Sequence, residues 1–294
     1  MDSVYDGLLE GDSSQWAFGT SFEDPLAGVD TTVPSGVEPA ELAAYCLMLA
    51  DDALVASARL SEWCSRAPEL EEDIALANMA LDLLGQARLL LARAAAADPA
   101  VVPLLPAGSP VPAEDALAFF RDVDEFLNVR LAEAPNGDFA HVVVRILLFS
   151  SARLAVLQRL RGCGDAVLAA VAAKGVKELT YHRDWSGRWF LTLARGTDES
   201  SRRLRGALDS LWPFYPELVV EPPAVCGVLG VDFGGLGAEV DGVLDLVFEV
   251  SGVERPRGGG LAGAVGRDGV HTEALSRLLA EMQVVARAHP MGCW

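Results

Sequence analysis

From residue 41 to residue 211 the chain repeats apolar residues three and four apart with no strand signal in between, and that pattern restricts it to a packed set of helices. Helices are expected over 41–66, 69–96, 113–133, 138–161, 165–194 and 198–211. Breakers fall between them: Pro68 at a first-turn position, the prolines from Pro99 to Pro112, Pro135-Asn136-Gly137, and Gly162-Cys163-Gly164. Asp198 and Ser200 are candidate caps of the sixth helix. Two more helices are expected over 237–251 and 272–288, among glycine-rich loops at about 227–242 and 252–270. Neither glycine-rich stretch ends in Gly-Lys-Ser/Thr or joins a strand to a helix, which argues against a phosphate loop. The expected fold class is all-α, with one domain over 39–294 behind an acidic arm over 1–38.

With 294 residues, 51% of them apolar, the chain can bury a sizeable core. A net charge of -19 repels phosphate backbones, so nucleic acid is not an expected partner. The apolar runs 142–149 and 89–97 are interrupted by Arg145 and Arg93 and fall short of the roughly 20 residues of a membrane span. The N-terminus is acidic and has no apolar signal region, and the expected location is cytoplasmic. Cys46, Cys64, Cys163, Cys226 and Cys293 have no Cys-x-x-Cys spacing and read as reduced structural thiols. No Lys or Arg precedes Arg59, and the first 41 residues hold nine acids, so the arm is expected to be disordered or extended. Its aromatics Tyr5, Trp16, Phe18 and Phe22 could anchor it on a partner.

The first helix is apolar all round and must be covered on every side, at the centre of the fold or in a subunit interface. Asp51-Asp52 interrupts it, so one of those carboxylates is expected to be desolvated and in need of a partner.

The stretch 76–88 places Asn78, Asp82 and Gly85 on one helical stripe with Ile74, Leu81 and Leu89, read here as a core stripe. In a bundle housing a two-metal centre, a Glu-x-x-His pair would project inward at such a place. Here the carboxylate slot holds Asp82 and the imidazole slot holds Gly85, and no Glu-x-x-His occurs anywhere in the chain. Asp138-x-x-His141 and Asp268-x-x-His271 come closest, but both sit where a helix cap is expected. The fifth helix carries a second stripe, Lys174, Glu178, Tyr181, His182, Trp185 and Trp189, with Glu178 and His182 four apart and Tyr181 in the histidine position. Lys174 and Lys177 are the only lysines beside 21 arginines. One reading has Lys174 neutralise Glu178 as a metal would, so that Lys174→Met destabilises the fold markedly; the other is an ordinary surface pair. No Gly-x-Ser-x-Gly elbow or nucleophilic triad is present.

Several blocks in order resemble the C subunit of the ring 1,2-phenylacetyl-CoA epoxidase family, a bacterial multicomponent monooxygenase of phenylacetate breakdown. They are Leu60-Ser61-Glu62-Trp63-Cys64 with Ala67-Pro68-Glu69-Leu70-Glu71, the 78–88 stretch, and Pro135-Asn136-Gly137-Asp138-Phe139-Ala140. Lys177-Glu178, Tyr181-His182, Gly196-Thr197-Asp198, Leu211-Trp212, Gly269-Val270-His271-Thr272-Glu273 and Leu279-Ala280-Glu281-Met282-Gln283 follow. The resemblance implies a ferritin-like bundle with a degenerate, metal-less di-iron site and a non-catalytic, structural role. It implies a partner A subunit that holds the di-iron centre, further subunits and a reductase, and no cofactor on this chain. It also implies that the C subunit lies near the coenzyme A thioester at the junction. The matching segment is Glu125-Phe126-Leu127-Asn128, where Phe126 and Asn128 fit the family pattern and Glu125 and Leu127 depart from it. The acidic arm and the glycine-rich stretch before His271 are further departures.

On this reading Asp51, Asn78, Asp82, Gly85, Lys174, Glu178, Tyr181 and His182 are the polar remnants of an emptied site, with Asn78 and Asp82 hydrogen-bonding across the core. The apolar first helix and the Trp-rich fifth helix would pack against or support the catalytic subunit. The rivals are a self-sufficient di-iron oxygenase using Asp82, Glu178 and His182, and an unpartnered helical scaffold or binding protein.

Overall fold

The computed structural model describes residues 26–220, 222–258, 260 and 265–292. The arm's aromatics, Cys293 and Trp294 lie outside the described residues. Ten helices are described, and among these residues there is no strand: α1 Pro39–Ser61, α2 Leu70–Ala97, α3 Ala113–Phe119, α4 Arg130–Glu133, α5 Phe139–Leu160, α6 Ala166–Arg195, α7 Asp198–Leu211, α8 Val225–Val228, α9 Leu236–Ser251 and α10 Glu273–Ala288. The all-α expectation holds, and the arrangement is consistent with a ferritin-like helical bundle. Two antiparallel pairs, α1 with α2 and α5 with α6, form the bundle; α2 and α6 join them, and α7 and α9 cover α5.

α1 resolves the choice left by its composition. Leu42, Cys46, Leu49, Ala53 and Leu60 on one side and Leu47, Leu54 and Val55 on the other are all buried, so the helix is central to its own chain. Both of its acids are buried, not one. Asp51 pairs with Arg121 and Asp52 with Arg267.

The segment read as one helix over 113–133 is broken. α3 ends at Phe119, residues 126–129 are extended, and α4 is a single turn. The cause lies in α1. Asp51 accepts the Leu127 N–H at 2.9 Å and Asp52 the Val129 N–H at 2.8 Å, so these backbone donors are satisfied without helical hydrogen bonds. The sixth helix, α7, is capped by Thr197, which accepts from Ser200 N–H, and not by Asp198 or Ser200.

Residues 26–38, placed in the arm, lie against the bundle: Leu26 and Val37 are buried, and the Thr31 carbonyl accepts from Arg93. Arg93 also forms a fully buried ion pair of 2.6 Å with Asp165, which caps α6 by accepting from Leu168 N–H. The arginines that interrupt the apolar runs are therefore interior anchors. Arg145 donates to the Ala134 and Pro135 carbonyls and to Asn136, and burial beside Arg59 lowers its pKa to about 9. Two helices, Leu70–Ala97 and Phe139–Leu160, are after all long and apolar enough to cross a membrane; the second is almost wholly covered by its neighbours.

The stripe read as the core face of α2 is not its buried face: its Asp82, Gly85 and Leu89 are only half-buried, at the edge toward α6. Ile74 and Leu81 are more than half exposed and Asn78 is exposed, whereas Leu76, Met79, Leu83 and Leu90 are buried. Leu83→Ala should therefore cost about 2–5 kcal/mol of unfolding free energy, the usual range for emptying a core leucine. Leu81→Ala should stay within about 0.5 kcal/mol, as for a surface change. Urea denaturation of the two variants checks the assignment of the faces.

Candidate functional site

The bundle centre is crossed by a chain of side-chain hydrogen bonds. Gln86 projects from the buried face of α2 and donates to Glu178 Oε2 of α6 at 2.8 Å. Arg153 of α5 donates through Nε to Gln86 Oε1 at 3.0 Å and through Nη1 to the Leu49 carbonyl of α1 at 3.0 Å. One guanidinium thereby touches or reaches all four long helices. Burial is the main influence on Arg153 and lowers its pKa to about 10, against the opposing charges of Asp52 and Glu178, so it remains a cation at neutral pH. A Cβ on Gly175 would run into Leu157 and Gln86, so the missing side chain there lets α6 close on this network.

Beside it, His182 meets Asp82 Oδ2 through Nε2 at 3.1 Å. His182 is buried and Asp82 about a third exposed. Burial pushes the His182 pKa down, and the Asp82 hydrogen bond and charge only partly oppose it. Asp82, Gly85, Glu178 and His182 thus lie at the α2–α6 contact, as their stripes suggest. Other expected members do not. Asn78 and Tyr181 are exposed, so no hydrogen bond from Asn78 crosses a core, and Asp51 belongs to the cluster around Arg121. Lys174 does contact Glu178, at 3.3 Å, but its side chain is 62% exposed. The buried cation next to Glu178 is Arg153, reached through Gln86. Neither residue stands out in the sequence, although Gln86 continues the 76, 79, 83, 90 stripe of buried residues and is the polar member of it.

The donors do not fit a two-metal centre. Among the described residues, the group of three His, Cys, Asp or Glu ligand atoms lying mutually within 4.8 Å is Glu69, Glu71 and Glu72 at the start of α2, a largely exposed acidic turn. Asp82, Glu178 and His182 form no such group, and a two-metal centre needs about six convergent ligands. Asp138 accepts from His141 N–H at 3.2 Å as a cap, and Asp268 accepts from Val265 N–H, so neither Asp-x-x-His pair acts as a ligand pair.

The second cluster surrounds the segment matched to the thioester. Of the four residues expected near the thioester, Phe126 and Asn128 are fully buried, Glu125 is exposed and Leu127 is half-buried. Asn128 donates to Glu133 at 2.9 Å and to the Val129 carbonyl, and Arg121 stacks on Phe126 at 4.3 Å. Arg267 donates to the Leu127 carbonyl at 2.6 Å as well as to Asp52. Arg267 also lines a half-open cavity of about 310 Å³ whose walls include Met48, Leu49, Val156, Leu218 and Phe233.

Trp185 and Trp189, expected to face a partner, pack edge-on against Phe139, which also meets Trp63, so this aromatic cluster is internal. Large exposed apolar groups among the described residues include Leu70, Ile74, Leu81 and Leu84 along α2. Tyr181 of α6 is also exposed, its ring 6.3 Å from that of His182.

A helical bundle with a hydrogen-bonded polar centre defines the class. A family model described as Phenylacetic acid catabolic protein matches residues 29–294, and the chain belongs to that family. It is similar to the C subunit of 1,2-phenylacetyl-CoA epoxidase from Escherichia coli (strain K12), with 39% identity over 263 residues, 86% of this chain and 99% of that protein.

Two substitutions separate the cations. Lys174→Met should shift stability by no more than about 0.5 kcal/mol, the size of an exposed helix pair. Arg153→Met should cost about 1–3 kcal/mol because it strips buried acceptors of their donor. Thermal and urea unfolding of both variants reads the difference, and a role for Lys174 in place of a metal fails if the first outcome is seen.

Proposed function

We propose that this chain is the non-catalytic, structural subunit of a cytoplasmic multicomponent monooxygenase that epoxidises the ring of phenylacetyl-CoA in phenylacetate degradation. The observation that carries the reading is the Arg153 guanidinium at the bundle centre. A buried, permanently charged group hydrogen-bonded to Gln86 and Leu49 occupies the interior where a cation-binding relative would need carboxylates to converge. The name of the Escherichia coli relative supports the pathway, and the poor fit of Asp82, Glu178 and His182 to a metal supports placing the di-iron centre, and its oxygen chemistry, on a catalytic mate. A self-sufficient di-iron oxygenase would require those three to converge.

The contribution of the chain is burial of a shared surface. Leu70, Ile74, Leu81 and Leu84 follow one line along α2, and a contiguous apolar stripe of this kind is stabilised by a partner. This is the surface assigned to the catalytic mate, in place of α1 and the tryptophans. A reductase and other subunits make up the rest of the assembly. Phenylacetyl-CoA is placed near Glu125 and Leu127, with Phe126 and Asn128 setting the backbone beneath it.

Co-expression with the catalytic mate tests both parts. Stoichiometric iron should follow the mate after the two are separated; iron that follows this chain overturns the reading. Leu81→Asp with Leu84→Asp should leave the circular dichroism and melting of the isolated chain unchanged and abolish co-purification. Retention of the complex by that double variant would move the interface elsewhere.

A further inference from the structure

The Gly269-Val270-His271-Thr272-Glu273 block has no role in the function above, yet it is built into a buried polar cluster around Glu133. Glu133 is fully buried. Its Oε1 accepts the Thr272 N–H at 2.6 Å, and its Oε2 accepts from Asn128 Nδ2 at 2.9 Å and meets His271 Nδ1 at 2.7 Å. The other ring nitrogen, Nε2, meets the Phe126 carbonyl at 2.7 Å. A carbonyl only accepts, so Nε2 carries a proton. Glu133 already receives two N–H donors, the pattern of a carboxylate, and His271 is the one ionisable side chain hydrogen-bonded to it. Charge balance in a dry site then puts the second proton on Nδ1.

We propose that His271 is an imidazolium at neutral pH that clasps the loop ahead of α10 to residues 126–133, so that this junction is a pH-sensitive fastening of the C-terminal helix to the bundle. The loop lies directly on the segment it holds. A Cβ on Gly266 would overlap the Asn128 carbonyl, and one on Gly269, whose φ is +72°, would overlap that of Asp124. Charged groups on the surrounding elements include Glu133 and Arg130 of α4, Asp51, Asp52 and Arg59 of α1, and Asp122, Asp124 and Glu125 just before Phe126, with Arg130 paired to Glu217. Arg121 and Arg267 pair with Asp51 and Asp52, and Asp268 and Glu273 flank the ring in sequence. Burial alone would push the His271 pKa down, but the Glu133 hydrogen bond, the Phe126 carbonyl and the charges of Glu133 and Asp51 outweigh it and hold the value above 6.5. A raised folded-state pKa contributes stability that is complete below the unfolded value near 6.5 and is lost as pH rises through the folded value. His182, with a lowered value, has the opposite dependence, its contribution fading on acidification. The clasp is made of contacts inside this chain and is independent of the thioester assignment.

The test is nitrogen-15 NMR of the histidine rings in the full chain, with His271 assigned by elimination using His141→Gln, His182→Gln and His289→Gln. Both His271 nitrogens should be protonated at pH 7 and titrate with a midpoint above 6.5. An unprotonated Nδ1 at pH 7 overturns the proposal, since it would place the proton on Glu133 or leave the pair without it. Glu133→Gln, which keeps the shape and removes the charge, should lower the midpoint; an unchanged midpoint also overturns it. In the wild type, amide exchange of residues 126–129 and 265–272 should accelerate beyond the intrinsic pH effect as His271 deprotonates. Exchange there that tracks the rest of the bundle removes the clasp.

Discussion

The placement of two adjacent carboxylates inside an otherwise apolar helix organises much of this molecule. α1 is covered on all sides, so Asp51 and Asp52 cannot be left to solvent, and an unpaired buried charge costs several kcal/mol. Each takes a guanidinium and a backbone N–H: Asp51 takes Arg121 and Leu127, Asp52 takes Arg267 and Val129. Those four groups come from the middle and the far end of the chain. The break in the helix pattern over 120–129, the seating of the loop before α10 and the walls of the Arg267 cavity all follow from satisfying these two acids.

The same logic governs the rest of the interior. Arg93, Arg145 and Arg153 are buried arginines, each bonded to carbonyls and to at least one polar side chain on a different element. A guanidinium has five fixed donors, so it can join three or four segments at one point where a lysine would join fewer. This explains a chain that uses arginine almost to the exclusion of lysine, and it places Lys174 and Lys177 on the surface.

Much of the fold was legible in the sequence. The long helices match their expected spans to within a few residues at most ends, because breakers such as Pro68, Pro135 and Gly162 act locally. The site was legible only in part. The Asp82 to His182 contact was implied by two polar stripes, but the buried face of α2 was misassigned, since this helix is apolar on both sides and periodicity cannot rank two apolar faces. Gln86 and Arg153 carry no such signal, because a single polar residue on an apolar stripe looks the same whether it crosses a core or interrupts it.

By itself, then, the sequence determined the spans of the long helices, the need to cover α1 on every side and to give its acids a partner, and the family. These depend on residue type and on neighbours three or four positions away. The tertiary structure alone decided which partners answered, which face of α2 was left open, and where the buried cation sits. Asp51 meets Arg121 across 70 residues and Asp52 meets Arg267 across 215, and no local pattern encodes contacts of that span. The clasp at His271 is of the same kind, because its charge is set by a carboxylate 138 residues away.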